Sequence, residues 1–311
     1  MTHHVFIDGG HGTTGLEIAD RLAGRQDVAL ITIPVEQRRD PEVRRAALND
    51  ADAVILCLPD DAAREAVALI ANDRTRVVDA STAHRVAPGW TYGFPEIGYR
   101  AQLQGATRIS NPGCYPTGFL ALVKPLIEAG LVPHDAPLTV NASSGYSGGG
   151  KAMIAAFEDP AAPDATDTAF RIYGLTLAHK HVAEMQGHAR LSHPPLFAPA
   201  VARTYRGMLV EVPLQLAPPV GEIRAVLSGC YAGSRLVTVA DASESEALSL
   251  LTLERTAGTD RLELFVFGND DRRQARLVAS LDNLGKGASG AAVQNLNLAL
   301  GLDEYEGLRL G

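Results

Sequence analysis

Val5-Phe6-Ile7-Asp8-Gly9-Gly10-His11-Gly12-Thr13-Thr14-Gly15 decides how the first part of the chain folds. A short apolar run reads as a strand, the glycines as a tight turn, and residues 14–22 as an amphipathic helix. The same rhythm continues outward, with strands expected over 5–8, 28–34, 53–58 and 76–79 and helices over 14–22, 41–48 and 60–71. Val54-Ile55-Leu56-Cys57-Leu58 is apolar without alternation, the pattern of a strand buried on both faces of a parallel sheet. The fold class that follows is α/β, with a Rossmann-like doubly wound nucleotide-binding domain.

Gly9, Gly12 and Gly15 are spaced G-x-x-G-x-x-G, and Gly10, Gly12 and Gly15 also satisfy G-x-G-x-x-G. Missing side chains there let the backbone approach a pyrophosphate, whose charge sits at the positive end of the following helix. The alternative is a tight turn that binds nothing. The strand before it and the helix after it favour the nucleotide. After the second strand comes Pro34-Val35-Glu36-Gln37-Arg38-Arg39. Arg38 suits the 2′-phosphate of NADP, Glu36 suits a ribose 2′-hydroxyl, and a solvated charge cluster would need neither.

The chain has 311 residues, which at roughly 150 residues per domain predicts two domains. With 46% hydrophobic and 21% charged residues it should fold as a globular protein. The 28 Lys plus Arg against 36 Asp plus Glu give a net charge of -8, which offers no general attraction to nucleic acid. Cys57, Cys114 and Cys230 are too few and too scattered for a disulfide framework or a thiolate metal site. They fit a reducing, cytoplasmic setting. No secretion signal is visible, and no apolar run approaches the ~18 residues of a membrane span.

Beyond residue 138 the strand-like segments lengthen, over 208–214, 236–240 and 262–267, and predict an α+β domain with a mainly antiparallel sheet. Residues 161–168 read as a loop. Residues 290–300 form a largely apolar helix that must pack on something, and we place it on the first domain.

The chemistry concentrates in Ser110-Asn111-Pro112-Gly113-Cys114-Tyr115-Pro116-Thr117-Gly118. Pro116 reads as the first residue of a helix. Cys114 then lies just before it, where unpaired N–H groups favour a thiolate. The bland alternative, a buried structural cysteine, serves for Cys57 and Cys230 and poorly for a cysteine framed by glycine and proline. His179-Lys180-His181 lacks a third metal ligand, so no metal is expected. Beside a reactive cysteine either imidazole could move a proton. Lys151, Lys180 or Arg206 could neutralise an anionic substrate. Gly145-Tyr146-Ser147-Gly148-Gly149 fits G-x-S-x-G, so Ser147 is a rival nucleophile. That reading leaves the glycine turn and the Cys114 frame without a purpose. The preferred one makes 143–150 a loop lining a substrate pocket.

With these blocks the chain resembles the N-acetyl-gamma-glutamyl-phosphate reductase family, in its shorter type, within the wider aspartate-semialdehyde dehydrogenase superfamily. The resemblance runs in order through Gly9 to Gly15, Asn111 to Thr117, Ser144 to Gly148, His179 to His181, Asp282-Asn283-Leu284-Gly285-Lys286-Gly287-Ala288, and Ala292-Val293-Gln294-Asn295. The chain departs from the longer type at Gly10-His11, Tyr146 and Ala183. The resemblance implies that the Cys114 thiolate attacks an acyl phosphate, that NADPH reduces the thioester, and that His181 or His179 is the acid-base group. It also implies cofactor contacts from Gly9, Gly12, Thr13, Thr14, Gly15, Arg38, Ser81, Thr82 and Asn283, and substrate contacts from Ser144, Gly145, Lys151 and Lys180. The expected domains are 1–115 with 286–311, binding NADP, and 116–285, catalytic and oligomerising. The expected partners are a small acyl-phosphate substrate and further copies of the chain, as a dimer or tetramer. A related acyl-phosphate reductase of the superfamily, or a nucleotide-binding module without catalysis, remain the rival readings.

Overall fold

The computed structural model describes residues 1–37 and 40–311. It divides into two compact units: Met1–Pro112 with Ala288–Leu308, and Gly113–Gly287 with Arg309–Gly311.

In the first unit the described strands are β1 (His3–Asp8), β2 (Val28–Ile31), β3 (Ala53–Leu56), β4 (Arg76–Asp79), β5 (Thr91–Tyr92) and β6 (Arg108–Ser110). They form a sheet ordered β2-β1-β3-β4-β6-β5, and every pairing is parallel. Helices α1 (Thr13–Leu22), α2 (Pro41–Asp50), α3 (Asp60–Leu69) and the short α4 (Arg100–Leu103) supply the connections. Successive strand residues point to opposite faces, so each strand feeds two cores. Val5, Ile55 and Val78 join Ile18 and Leu22 of α1. Phe6, Val54 and Val77 join Ala47 and Leu48 of α2 and Ala63 and Ala66 of α3. This double burial is why the strand sequences show no polar alternation. The second expected strand ends at Ile31 rather than at residue 34, its ladder with β1 stopping at the Phe6–Ile31 pair.

The second unit holds α5 (Cys114–Glu128), β7 (Thr139–Gly145), α6 (Gly150–Glu158), β8 (Phe170–Ile172), α7 (His181–Ala189), β9 (Leu196–Ala202), β10 (Met208–Gln215), α8 (Val220–Cys230), β11 (Val237–Val239), α9 (Ala242–Ala247), β12 (Leu262–Asn269) and β13 (Gln274–Leu281). Its sheet runs β11-β12-β13-β10-β7-β9-β8 and is mixed but mostly antiparallel. The parallel pairs β7–β9 and β11–β12 are each joined through intervening helix, the crossover that parallel strands require. Helix α5 is buried from Tyr115 to Ile127. The closing helix α10 (Gly290–Leu300) returns to the first unit, where Ala292, Val293 and Leu296 share the core of α1.

Two local expectations change. Residues 143–145 finish β7 and 146–149 form a 3-10 turn, so 143–150 is regular structure rather than a loop. Residues 138–141 read as strand-like, and the Ser-Ser-Gly sequence hid only the end of that strand, which pairs with β9 and β10. Helix α5 starts at Cys114 itself, with Gly113 as its cap and Pro116 third. Proline is tolerated there because the first-turn N–H groups have no intrahelical acceptor.

Candidate active site

In the first unit the strand order reverses at β1, and the glycine turn lies at that point of the sheet's carboxyl edge, the customary place for a nucleotide in a doubly wound sheet. Gly9 has φ of +85°, and a Cβ there would stand 2.3 Å from the Cys57 carbonyl oxygen. The Gly12 N–H donates to the Gly9 carbonyl at 2.9 Å. Gly12 caps α1, and Thr13 and Thr14 open it. A Cβ on Gly15 would come 2.7 Å from Gly10 Cα. The first turn of α1 carries no acidic side chain, which leaves its positive end to an anion. Beside it opens a cavity of about 350 Å³ bordered by the glycine turn, Thr32, Ile33 and Arg44. These residues fit a dinucleotide: a cradle that side chains would fill, a helix terminus and a cavity adjoining both. Arg38 lies outside the described residues.

Ser81 and Thr82 follow β4, and carboxylates hold both. Ser81 donates its N–H to Asp79 Oδ1 at 2.9 Å and its hydroxyl to Oδ2 at 2.7 Å. Thr82 donates its N–H and its hydroxyl to Asp60, at 2.9 and 2.5 Å. With its proton committed, Thr82 Oγ1 keeps only acceptor capacity. His84 Nδ1 lies 2.6 Å from the fully buried Asp79, and its ring stacks on Trp90 at 4.0 Å.

In the second unit, Cys114 is the first residue of α5, half-buried. The adjoining Gly113 N–H donates to Oε1 of the buried Glu184 at 2.8 Å. The Thr117 N–H and hydroxyl both return to the Gly113 carbonyl at 2.9 Å, and Pro116 has no N–H. The helix start therefore offers fewer backbone donors than its sequence suggests. Helix α7 brings the histidines to the same place. His181 is its first residue, its N–H donating to His179 Nδ1 at 3.1 Å. The two imidazoles meet edge to face at 4.7 Å, and both pack on Tyr115, at 6.2 Å for His179 and 5.9 Å for His181. His181 is buried and His179 half-buried.

Tyr173 donates its hydroxyl to Tyr115 at 3.0 Å. Burial, reinforced by the Tyr173 and Cys114 charges, pushes the Tyr115 phenol well up. Burial likewise pushes Tyr173 up to about 12, against the lowering effect of its bond to Tyr115, while Cys114 raises it further. Both remain neutral donors at physiological pH, within electrostatic reach of Cys114.

The other two cysteines differ. Burial, then Asp79 and Asp8, push the Cys57 thiol up to about 12. Cys230 is exposed at the end of α8 rather than buried, a correction to its expected packing role. Ser147 is 1% exposed and accepts from Asn283 Nδ2 at 2.9 Å, whereas a nucleophile elbow presents its hydroxyl.

Asn283 also accepts the Gly207 N–H at 3.0 Å, so both ends of its amide serve contacts within the second unit. Ser144 donates to the Gly145 carbonyl at 3.0 Å, and a Cβ on Gly145 would stand 2.7 Å from the Tyr205 carbonyl. Lys151 and Lys180 are exposed near the starts of α6 and α7. Among the described residues, no hydrogen bond or ion pair ties either lysine to the Cys114 cluster. Arg206 pairs with the buried Asp282 at 3.4 Å.

Asp60, Asp79, Arg44, Tyr173 and Glu184 escaped the sequence reading. Glu184 left one signal, standing three residues after His181 and so on the same helical face.

Residues 4–106 match the family described as semialdehyde dehydrogenase, NAD binding domain, and residues 114–283 the family described as semialdehyde dehydrogenase, dimerisation domain. The chain is 52% identical over 309 residues to N-acetyl-gamma-glutamyl-phosphate reductases from Brucella ovis and Brucella canis, covering 97% of this chain and 100% of each relative. Its fold is similar to that of aspartate semialdehyde dehydrogenase II from Vibrio cholerae, with TM-score 0.72 and 18% identity over 96% of this chain and 99% of the other. The aspartate semialdehyde dehydrogenase of Candida albicans, whose structure was determined with NADP, aligns with TM-score 0.66 and 15% identity over 96% and 98% of the two chains.

Proposed function

The chain belongs to the semialdehyde dehydrogenase family, and on that premise we propose that it is an oxidoreductase of arginine biosynthesis. It reduces N-acetyl-L-glutamyl 5-phosphate to N-acetyl-L-glutamate 5-semialdehyde and releases phosphate. The observation that carries this reading is Cys114 at the start of α5, between Gly113, which Glu184 of the histidine-bearing α7 holds, and Tyr115, on which His179 and His181 pack, in a chain 52% identical over 309 residues to reductases of that name.

The Cys114 sulfur attacks the acyl carbon, the carbon–oxygen bond to phosphate breaks, and a thioester remains. When bound, a nicotinamide cofactor would supply the hydride that reduces the thioester carbon. His181, with His179 as the alternative, gives a proton to the developing oxyanion and takes it back as the carbon–sulfur bond breaks, regenerating the thiolate. Glu184 fixes the Gly113 N–H and so holds the turn from which Cys114 projects. Lys151, Lys180, Ser144 and Gly145 meet the charged or polar ends of the substrate.

The cofactor is NADP, held by Gly9, Gly12, Thr13, Thr14 and Gly15 at the pyrophosphate, by Arg38 at the 2′-phosphate, and by Ser81, Thr82 and Asn283 toward the nicotinamide. The fit of the glycine cradle and adjoining cavity supports the dinucleotide. The domains we propose are 1–115 with 286–311 for cofactor and 116–285 for chemistry and assembly. The working form is a homo-oligomer, a dimer or a tetramer, in the cytoplasm. No helix among the described residues is long and apolar enough to cross a membrane, and three free thiols suit a reducing compartment.

The test is phosphate-dependent reduction of NADP with N-acetyl-L-glutamate semialdehyde, the reverse direction. Aspartate semialdehyde and the Cys114→Ala variant run in parallel. Turnover confined to the N-acetylated substrate and abolished in the variant is expected. Turnover with aspartate semialdehyde instead moves the chain to another reaction of the family.

A further inference from the structure

The cavity beside the glycine turn contains an ion pair that the expected cofactor contacts do not use. Asp8 ends β1 and is 8% exposed. Its Oδ2 accepts from Arg44 Nε, on α2, at 2.9 Å. Both residues line the cavity together with His11 and Thr32.

A carboxylate in that position opposes a phosphorylated ribose. At a few ångströms in a partly desolvated cavity, a carboxylate and a phosphate repel strongly unless a cation intervenes. Arg44 is that cation, and its geometry leaves capacity to spare. Asp8 takes only the Nε edge. The two terminal nitrogens make long contacts, 3.4 Å to Glu65, whose side chain is 66% exposed, and 3.5 Å to the Ala62 carbonyl. A guanidinium can keep one edge on a carboxylate while its other N–H groups bind a phosphate. The end of β2 adds a second observation: its last residues lead into Thr32-Ile33-Pro34 with no acid among them, and the next acid along the chain, Glu36, is exposed in the 3-10 turn beyond and does not line the cavity.

We propose that Arg44 is a specificity-determining residue for the 2′-phosphate of the cofactor, cancelling Asp8 and presenting its terminal N–H groups to the phosphate. The proposal rests on the NADP reading above and is separable from it. Removing Arg44 leaves Asp8 uncompensated and should penalise the phosphorylated ribose alone. Removing the charge of Asp8 should not penalise it.

The experiment is calorimetric titration of the whole chain with adenosine 2′,5′-bisphosphate and with adenosine 5′-monophosphate, probes that lack nicotinamide and bypass catalysis. The wild-type protein should prefer the bisphosphate. In Arg44→Gln that affinity should fall about 10- to 100-fold, the effect of losing charge-assisted hydrogen bonds, while the monophosphate changes less than about 2-fold. Asp8→Asn should hold or strengthen the preference. Arg44→Gln that keeps the wild-type preference, or that weakens both nucleotides equally, overturns the proposal. A wild-type protein without preference for the bisphosphate overturns the NADP reading itself.

Discussion

Cys57 and Cys114 carry the same thiol into different surroundings, and the difference yields a pH dependence. Part of the Cys57 residue surface is open, but its sulfur is desolvated and Asp79 and Asp8 oppose its ionisation, so its pKa rises to about 12. In the unfolded chain the same thiol ionises near ~8.5. Between those values the folded protein holds a proton that the unfolded one has lost. The stability this group contributes is complete below the unfolded value and is lost as pH rises toward 12. The slope is about 1.4 kcal/mol per pH unit. Tyr173, pushed from 10 to about 12 by burial, adds a similar slope that starts higher. Urea unfolding of the wild type and Cys57→Ala from pH 8 to 11 should show a shallower decline in the variant by that amount. Identical slopes would show that Cys57 ionises as freely in the fold as outside it. In the same protein, iodoacetamide at pH 8 should modify Cys114 and Cys230 and leave Cys57 protected until unfolding.

Helix α5 is the element on which the second unit is assembled, and Gly118 is where it comes closest to the sheet. A Cβ at Gly118 would stand 2.7 Å from Val210 Cγ2 and 2.8 Å from its Cβ, both on the central strand β10. Gly118→Ala should therefore cost stability, by about 1–3 kcal/mol as overpacking does, although alanine is the better helix former. Thermal unfolding checks the sign, and a raised midpoint would mean that the helix moves away at no expense. What was legible in the sequence follows the same division between local and distant causes. The parallel sheet could be read because Val54-Ile55-Leu56 has no polar alternation, a direct imprint of helices on both faces. The helix after Cys114 is legible in its apolar run, but its start is not, because proline fits the third position of a helix as well as the first. The end of strand β7 is hidden because Ser143-Ser144-Gly145 has turn-like composition, although residues 138–141 read as strand-like. Gly145 is required there by the Tyr205 and Arg206 backbone, which only the folded chain brings near. The clasps of Asp60 on Thr82, Asp8 on Arg44 and Glu184 on Gly113 link residues 22, 36 and 71 positions apart. Sequence periodicity carries no record of such pairs.

At the scale of the whole molecule, the seven-stranded sheet has one face that its own unit leaves partly open. Gly118 meets Val210 and Ala279, so these side chains and their alternates face the helices. On β10, Leu209 and Glu211 therefore point the other way. Register carries that open face through Asn141 of β7 to Leu196 and Ala198 of β9, and to Phe170 and Ile172 of the edge strand β8. Phe170 is 53%, Ile172 66% and Leu196 48% exposed. A contiguous apolar strip ending in an unpaired strand edge invites association, and this segment lies within the part of the chain that matches a dimerisation domain. A second copy placing the same face here would bury the strip around a two-fold axis, with Glu211 and Arg276, paired at 2.6 Å within one chain, available to both copies at its rim. Ile172→Asp puts a charge in the middle of that contact while leaving the opposite, helix-covered face of the sheet untouched. Sedimentation velocity should then show the wild-type chain as a dimer or a larger even assembly and the variant shifted toward monomer, with the melting of the isolated chain little changed because Ile172 contributes little to its own core. An unshifted sedimentation coefficient in Ile172→Asp would move the interface elsewhere on the second unit, and a monomeric wild type would leave the exposed strip without a partner of its own kind.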